Sequence, residues 1–566
     1  MAREEIDGGE AVLEAFRNLD IEYIIASPGS DWPSVWEALA RQKVNEADGP
    51  RYIDTWHETL AVTMAMGYTR VTGKLQAVML HAGVGLLQGS LGIHGAYQGE
   101  IPMLICSGES ITNGEDPDFD PGGQWYRGLN VVGGADRWVE PFTKWSSHVS
   151  THFNLYESIT RAGEMAQRLP KGPTFLDIPM EVMLPAWTPP PRMGKIPAPP
   201  KTHSEASAID EVARLLAGAS SPVIISESAG KDVEAFHQTV RLAEMLSIPV
   251  VESSPGYANF PKDHPMYQGT NVNLFKDTSD VILLMGSKTP WYPPSKGPAT
   301  GTVISIDEYP LKEHLTYQAL HANIYLEGDI GVTVRLLADA VEANGGLNAV
   351  AISARKSQWE SEHNKATEGH RATVEAAKDK GPIDPVWLCA AISEVMPDDA
   401  TYIEETITHR GAILRHIAWN TPQRYFHPNG GLGQGLGTAL GVKLARPNSP
   451  VVALMGDGSF LYNPVVQSFG VSAAENLPIL IIVFNNGKYQ AMQNLHLQFY
   501  PDGVAAKTGI HHGVDITGPN YADLIKPFGG HSERVEDPAE LKPALERALA
   551  AVNGGTTALV DVIVNA

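Results

Sequence analysis

Along most of the chain, short runs of apolar residues alternate with longer stretches in which apolar side chains return every three or four positions, and Gly or Pro marks many of the changeovers. A near-continuous apolar run suits a strand covered on both faces, and the three-to-four spacing suits a helix lying across it. The runs fall at 21–26, 75–80, 102–106 and 174–178, then at 222–226, 249–252, 281–285, 303–307 and 322–326, and finally at 400–404, 451–455, 479–484 and 558–564. Such alternation predicts an α/β protein of three domains, each with a mainly parallel sheet flanked by helices.

Two stretches break the pattern. Pro185, Pro189, Pro190, Pro191, Pro197, Pro199 and Pro200 crowd into one segment, which reads as a stiff, extended linker over 185–204. Between Arg355 and Lys380 the chain turns charged and poor in large apolar residues, which reads as a second linker over 346–384. The expected domains are therefore 1–184, 205–345 and 385–566.

Composition narrows the classes. With 566 residues and 43% hydrophobic content each domain has material for a core, which argues against disorder. A net charge of −23 makes nucleic acid or an anionic membrane surface an unsuitable partner. No apolar run approaches the roughly 18–20 residues of a membrane span, and the first ten residues carry four acidic groups rather than a secretory pattern. The expectation is a soluble, cytoplasmic protein. Cys106 and Cys389 lie inside apolar runs and read as core residues.

In parallel sheets ligands gather beyond the carboxyl ends of the strands, so chemistry is sought just after each run. Gly456, Asp457, Gly458 and Ser459 follow one run, and Asn485, Asn486 and Gly487 follow the next, with 26 residues (459–484) between Gly458 and Asn485. Either motif alone could be a plain turn. Together they offer a carboxylate and a carboxamide at two strand ends, with glycines that admit a ligand closely. Such oxygen ligands suit Mg²⁺ or Ca²⁺ and leave room for the oxygens of a diphosphate.

This pair of motifs resembles the signature of the thiamine diphosphate enzymes. The resemblance implies a pyrimidine-binding (PYR), a central and a diphosphate-binding (PP) domain. It also implies a metal held by Asp457, Asn486 and the carbonyl of Lys488, with Gly456, Gly458, Ser459 and Tyr489 at the cofactor. The segment from Trp56 to Ala61 resembles the family's glutamate helix, which makes Glu58 the carboxyl group that protonates N1′ of the aminopyrimidine and so promotes formation of the ylid. A lone glutamate there would otherwise read as a solvated helix residue. The stretch from Gly430 to Gly441 fits no dinucleotide register, because Leu436, Thr438 and Leu440 stand where the last glycine would be. The Gly83, Val84, Gly85 loop fails likewise, since Gly89 comes one place late. The former is similar to the family's GGLG segment, with Leu432 and Gly433 beneath the cofactor and Leu432 as the apolar wedge.

Within the family, three features resemble benzoylformate decarboxylase and related 2-oxo acid decarboxylases and acetolactate synthase-like proteins. Ser27, Pro28, Gly29 and Ser30 resemble a turn whose serine touches the substrate carboxylate. Leu80 and His81 resemble a pair whose histidine moves a proton, 23 positions after Glu58. Tyr489 to Met492 matches the family's pocket segment in part, with Gln490 replacing a glycine. Ser30 could also cap a following helix, and His81 could be a packed structural histidine. Thr406 and Thr408 stand where relatives hold diphosphate oxygens, and His409 and Arg410 could meet an anionic substrate. A second catalytic histidine has no motif; His264 is the nearest candidate, and a surface-turn histidine is its other reading. The run from Pro290 to Pro294 reads as a rigid loop.

The resemblance implies non-oxidative, thiamine diphosphate- and Mg²⁺-dependent decarboxylation of a 2-oxo acid to an aldehyde, with joining of aldehydes as a companion activity. It further implies a homodimer or homotetramer with sites completed across subunit interfaces. The segment after Asn486 lacks the Met-, Val- and Trp-rich character of acetohydroxyacid synthases, so FAD is not expected. No extension that would cover an acyl-CoA follows the last run. The alternatives are an acetolactate synthase-like carboligase or acyltransferase, and a non-catalytic protein that keeps the fold.

Overall fold

The computed structural model describes residues 6–27, 29–110, 120–315, 321–345 and 347–565. The apolar runs become the strands of three sheets in which every neighbouring pair is parallel. In the first sheet β1 (Tyr23–Ser27), β2 (Arg51–Asp54), β3 (Ala77–Leu80), β4 (Met103–Glu109), β5 (Trp145–His148) and β6 (Pro173–Pro179) lie in the order β2-β1-β3-β4-β6-β5. In the second, β7 (Pro222–Ser226), β8 (Val250–Glu252), β9 (Val281–Met285), β10 (Thr302–Asp307) and β11 (Ile324–Glu327) lie in the order β11-β10-β9-β7-β8. In the third, β12 (Thr401–Glu405), β13 (Tyr425–Phe426), β14 (Val451–Gly456), β15 (Leu480–Asn485), β16 (His531–Val535) and β17 (Ala558–Ile563) lie in the order β13-β12-β14-β15-β17-β16. Inner strands such as β3, β6, β9 and β14 are buried along their whole length, as the absence of alternation in their sequences requires.

These sheets are distributed over two compact units. The first sheet lies in a unit of Met1–Pro199, Pro428–Asn448 and Leu461–Ile479; the other two lie in a unit of Pro200–His427, Ser449–Phe460 and Leu480–Ala566.

In the first unit the helix Glu58–Thr72 packs against the helix Gly435–Ala445 at backbone distance. A Cβ on Gly67 would stand 2.2 Å from the Thr438 carbonyl oxygen, one on Gly437 would stand 1.9 Å from Thr63 Oγ1, and one on Gly441 would stand 2.0 Å from the Met64 carbonyl oxygen. The glycine-rich segment that failed as a nucleotide loop is thus, in part, one wall of a helix pair. Residues 187–205 form neither helix nor strand.

In the second unit, the charged stretch expected as a linker is mostly the 29-residue helix Ala349–Ala377. Its residues are good helix formers, Ala, Glu, Lys and Arg, with little apolar surface to reveal the helix by periodicity. Arg355 anchors it: buried, it donates to the carbonyl oxygens of Leu246 and Ala219. Both cysteines are free and buried. Among the described residues, no helix is long and apolar enough to cross a membrane.

Candidate active site

In the first unit β1 and β3 are neighbours, with Ser27 opposite Leu80, so the chain leaves both strands at one place. The His81 amide donates to the Ser27 carbonyl oxygen at 3.1 Å, and its Nδ1 lies 2.6 Å from Oδ1 of Asp31, a carboxylate with no exposed surface. Gly29 makes this approach possible, since a Cβ there would stand 1.6 Å from His81 Nδ1. Trp32 donates from Nε1 to the Leu80 carbonyl oxygen at 2.9 Å, which locks the turn onto β3. The bond to Asp31 raises the His81 pKa above the ordinary imidazole value; the charges of Asp31 and Glu58 act in the same direction, and burial opposes them. Pro28, between the two halves of this turn, lies outside the described residues.

Glu58 reaches the same place from the next strand. After β2, Trp56 takes a left-handed backbone (φ 58°), and His57 caps the new helix by accepting from the Thr59 amide at 3.2 Å. Glu58 is the first residue of that helix. Gly85 lies against both side chains: a Cβ there would be 3.0 Å from His81 Cβ and 3.1 Å from Glu58 Oε1. A bulky left-handed residue such as Trp56 is held only where its surroundings enforce it, and here its ring packs on Gly470.

Ser30 is exposed, and its Oγ accepts from Gln124 Nε2 at 3.3 Å. It does not cap the next helix, which begins at Pro33 without any side-chain cap. In the same unit, the GGLG segment uses left-handed backbone at Gly430, Gly431 and Gly433 (φ 86°, 131° and 97°). Any side chain at Gly430 would meet the Cα of Gly95 at 2.8 Å. Leu432, half-buried, is the one side chain this turn holds out.

In the second unit, Gly456 pairs with Phe484 at the ends of β14 and β15, which brings Asp457 and Asn486 to adjacent strand ends. Asp457 Oδ1 accepts from the Gly458 amide at 2.7 Å, and Oδ2 accepts from the Gly487 amide at 2.7 Å. Asp457 is 3% exposed, and no Lys, Arg or His pairs with it among the described residues. Burial raises its pKa, against the three backbone amides that favour the charged form. A buried carboxylate without a counter-charge is costly, and a divalent cation relieves that cost. Asn486 Oδ1 accepts from the Lys488 amide at 3.1 Å, which folds this loop back on itself, and the Tyr489 ring lies against Gly458. The donor set of Asp457, Asn486 and the Lys488 carbonyl is therefore suited to a hard cation.

The loop after β12 carries a second strained residue, Ile407 (φ 57°), between the two threonines. Thr406 is buried, with both its amide and its hydroxyl donating to Glu404 Oε1 at 2.6 Å, whereas Thr408 is exposed. Ser459 donates its hydroxyl to the Glu405 carbonyl oxygen, tying this loop to β14's end. His409 and Arg410 are not free to meet a substrate. His409 is buried and stacked on Phe484 with ring centroids 5.6 Å apart, and burial pushes its pKa down to about 4. Arg410 donates to the Pro255 carbonyl oxygen and lies 3.4 Å from Glu404. His264 sits in a turn, accepting from the Met266 amide at 3.1 Å and pairing with Glu244 at 3.4 Å.

Two groups were not legible in the sequence. Asp31 follows Ser30 directly; the signal was the strand order, which sets this turn beside His81. The second is a cluster at the ends of β4, β5 and β6. His148 Nδ1 lies 3.2 Å from Glu109 and 3.4 Å from Asp177. Its bonds to Asp177 and Glu109 raise its pKa to about 10, while burial raises that of Asp177 to about 8, so the three groups share protons among themselves.

Family models match along most of the chain. The models for the N-terminal TPP binding, central and C-terminal TPP binding domains of thiamine pyrophosphate enzymes match residues 6–126, 209–337 and 407–562. The chain is 24% identical to the acetolactate synthase large subunit of Haemophilus influenzae, over 97% of this chain and 93% of that protein. It is 26% identical to benzoylformate decarboxylase of Pseudomonas aeruginosa, over 88% and 90%. In fold it is similar to the thiamine diphosphate-dependent 4-hydroxybenzoylformate decarboxylase of Rhodococcus jostii, with a TM-score of 0.78, 24% identity and 99% of each chain covered. The chain belongs to the thiamine pyrophosphate enzymes.

Proposed function

We propose that the protein uses thiamine diphosphate and Mg²⁺ to decarboxylate a 2-oxo acid to an aldehyde without oxidation. The observation that carries this reading is the His81 imidazole, anchored by buried Asp31 and set beside Glu58 across Gly85. When bound, thiamine diphosphate supplies a carbon nucleophile for the 2-oxo group and a sink for the charge left as CO₂ departs. The remaining work falls to side chains. Glu58 would hold a proton against the cofactor's ring nitrogen. Asp457, Asn486 and the Lys488 carbonyl would hold the metal that carries the diphosphate, with Thr408 at its oxygens. Ser30 would orient the substrate carboxylate. His81 keeps Nδ1 on Asp31, which leaves Nε2 to deliver the proton that replaces CO₂. A raised imidazole pKa suits a donor that must be charged near neutral pH.

The likeness to acetolactate synthase supports a second reading, in which an acceptor carbonyl rather than a proton takes the new bond. Product analysis from a 2-oxo acid alone, and with added aldehyde, separates the two. A free aldehyde from the acid alone supports the decarboxylase; a coupled hydroxyketone as sole product in both cases overturns it. We also infer a homodimer or homotetramer. Its support is the helix Gln490–Phe499 beside Asn486, which buries no residue while Met492, Leu495 and Phe499 are exposed.

A further inference from the structure

In the second unit a cleft of about 300 Å³ opens between the loop that follows β8, the helix Ala349–Ala377 and the short helix Arg410–His416. The long helix presents His363, Ala366, Thr367 and His370, spaced i, i+3, i+4 and i+7 on one face. Small Ala366 and Thr367 leave room between the two imidazoles. Arg415 faces the cleft from the short helix, and Lys262 forms part of its wall. Apart from Tyr267, whose hydroxyl donates to buried Glu252 at 3.1 Å, every ionisable group lining the cleft among the described residues is basic, and none of these is a carboxylate. That is a local reversal in a chain with a net charge of −23.

The four bases are not equally committed. The Lys262 ammonium donates to the carbonyl oxygens of Leu414 and Ile417 and lies 3.2 Å from the centre of the Trp419 ring, so it fastens the end of the short helix. His363 Nδ1 is 2.9 Å from the Tyr267 carbonyl oxygen. Arg415 makes no hydrogen bond or ion pair among the described residues, and neither does the Thr270 hydroxyl at the loop's edge. His370 makes no hydrogen bond there either; its ring lies edge-on to that of His416, with centroids 5.5 Å apart. Burial holds the His370 pKa below its ordinary value, and the charges of Arg415, His363 and Lys262 push it further down. Unneutralised positive charge of this kind is relieved by an anion. One guanidinium can serve both oxygens of a planar carboxylate, whereas a phosphoryl group offers three oxygens in three directions. Here the uncommitted donors come from three elements: the loop, the long helix and the short helix.

We propose that this cleft binds a phosphoryl group, as inorganic phosphate or on a small phosphorylated molecule, through Arg415, His370 and Thr270. It shares no residue with the diphosphate loops at Asp457 and Thr408. The test uses the full chain pre-loaded with thiamine diphosphate and Mg²⁺, so that the diphosphate loops are taken. Inorganic phosphate and glycerol 3-phosphate are then titrated in turn, with binding heat and the histidine C2–H resonances as readouts. At least one should bind saturably, one per chain, and move the His370 resonance toward its protonated position. Arg415→Gln should weaken that binding about tenfold or more, and His370→Gln should weaken it and remove the shifted resonance. Both variants should unfold at the parent's temperature without phosphate, since neither side chain is hydrogen-bonded among the described residues. No saturable binding of either phosphate, unchanged affinity in both variants, or succinate binding as tightly as phosphate would each overturn the proposal.

Discussion

The role proposed for His81 rests on two residues that do no chemistry themselves. Asp31 fixes one ring nitrogen and Gly29 makes the space, so the proposed proton donor is built from a turn rather than from a motif. Replacing Asp31 with Asn removes the negative charge that raises the His81 pKa. The alkaline limb of kcat should then move to lower pH, while a merely structural role would lower activity equally at every pH. The sign for stability follows from the same shift. Because the folded pKa lies above the ordinary value near 6.5, the pair stabilises the fold fully below that pH and loses its contribution as pH rises through the folded pKa. The stability gap between the parent and His81→Gln should therefore be widest in mild acid, as chemical denaturation across pH will show. Glu58→Gln should keep the fold and lose nearly all turnover; full activity would remove Glu58 from the mechanism. Of these residues His81, Ser30, Asp457 and Asn486 could be nominated from the sequence because each follows an apolar run, and Glu58 because its segment resembles the family's glutamate helix. Asp31 could not be, since its partner is 50 positions away and the order of the strands is what joins them.

At the scale of elements, the strands that sequence patterning revealed and those it missed differ in one physical respect. The four it missed, β2, β5, β13 and β16, are the edges of the first and third sheets. An edge strand can expose a side and carry polar residues: β2 reads Arg51, Tyr52, Ile53, Asp54, and only Ile53 is buried. Apolar continuity reports burial on two faces; β2, β5 and β16 lack it, β13 is buried but only two residues long, and the second sheet's edges β8 and β11 keep enough of it to be seen. The helix Ala349–Ala377 was read as a linker for a related reason, because a helix with so few apolar contacts shows no stripe. The glycine-rich stretch at 430–441 was assigned only to the cofactor, yet its second half sets the approach of two helices. Gly441→Val should accordingly destabilise the protein by about 1–3 kcal/mol or more through overpacking against the Met64 carbonyl, and a thermal scan will read the fall in Tm.

For the whole molecule, the buried and unpaired Asp457 makes cofactor binding and stability one question. A ligand that binds only the folded chain raises stability by about 2.7 kcal/mol at a concentration one hundred times its Kd. Thiamine diphosphate with Mg²⁺ should thus raise Tm, and chelation of the metal should reverse the rise. Asp457→Asn should abolish the metal-dependent part; in the apo protein the buried charge it removes is set against the amide bond it loses, since a carboxamide can accept from only one of Gly458 and Gly487. The acidic surface is no obstacle to a diphosphate, whose charge a metal and backbone amides can meet locally. The measurement that bears most directly on the central claim is CO₂ release from a panel of aromatic, branched and anionic 2-oxo acids. It should be run with thiamine diphosphate and Mg²⁺ and again without them. The account predicts cofactor-dependent CO₂ matched one-to-one by aldehyde for at least one acid. Saturable cofactor binding with no CO₂ from any of them would contradict it.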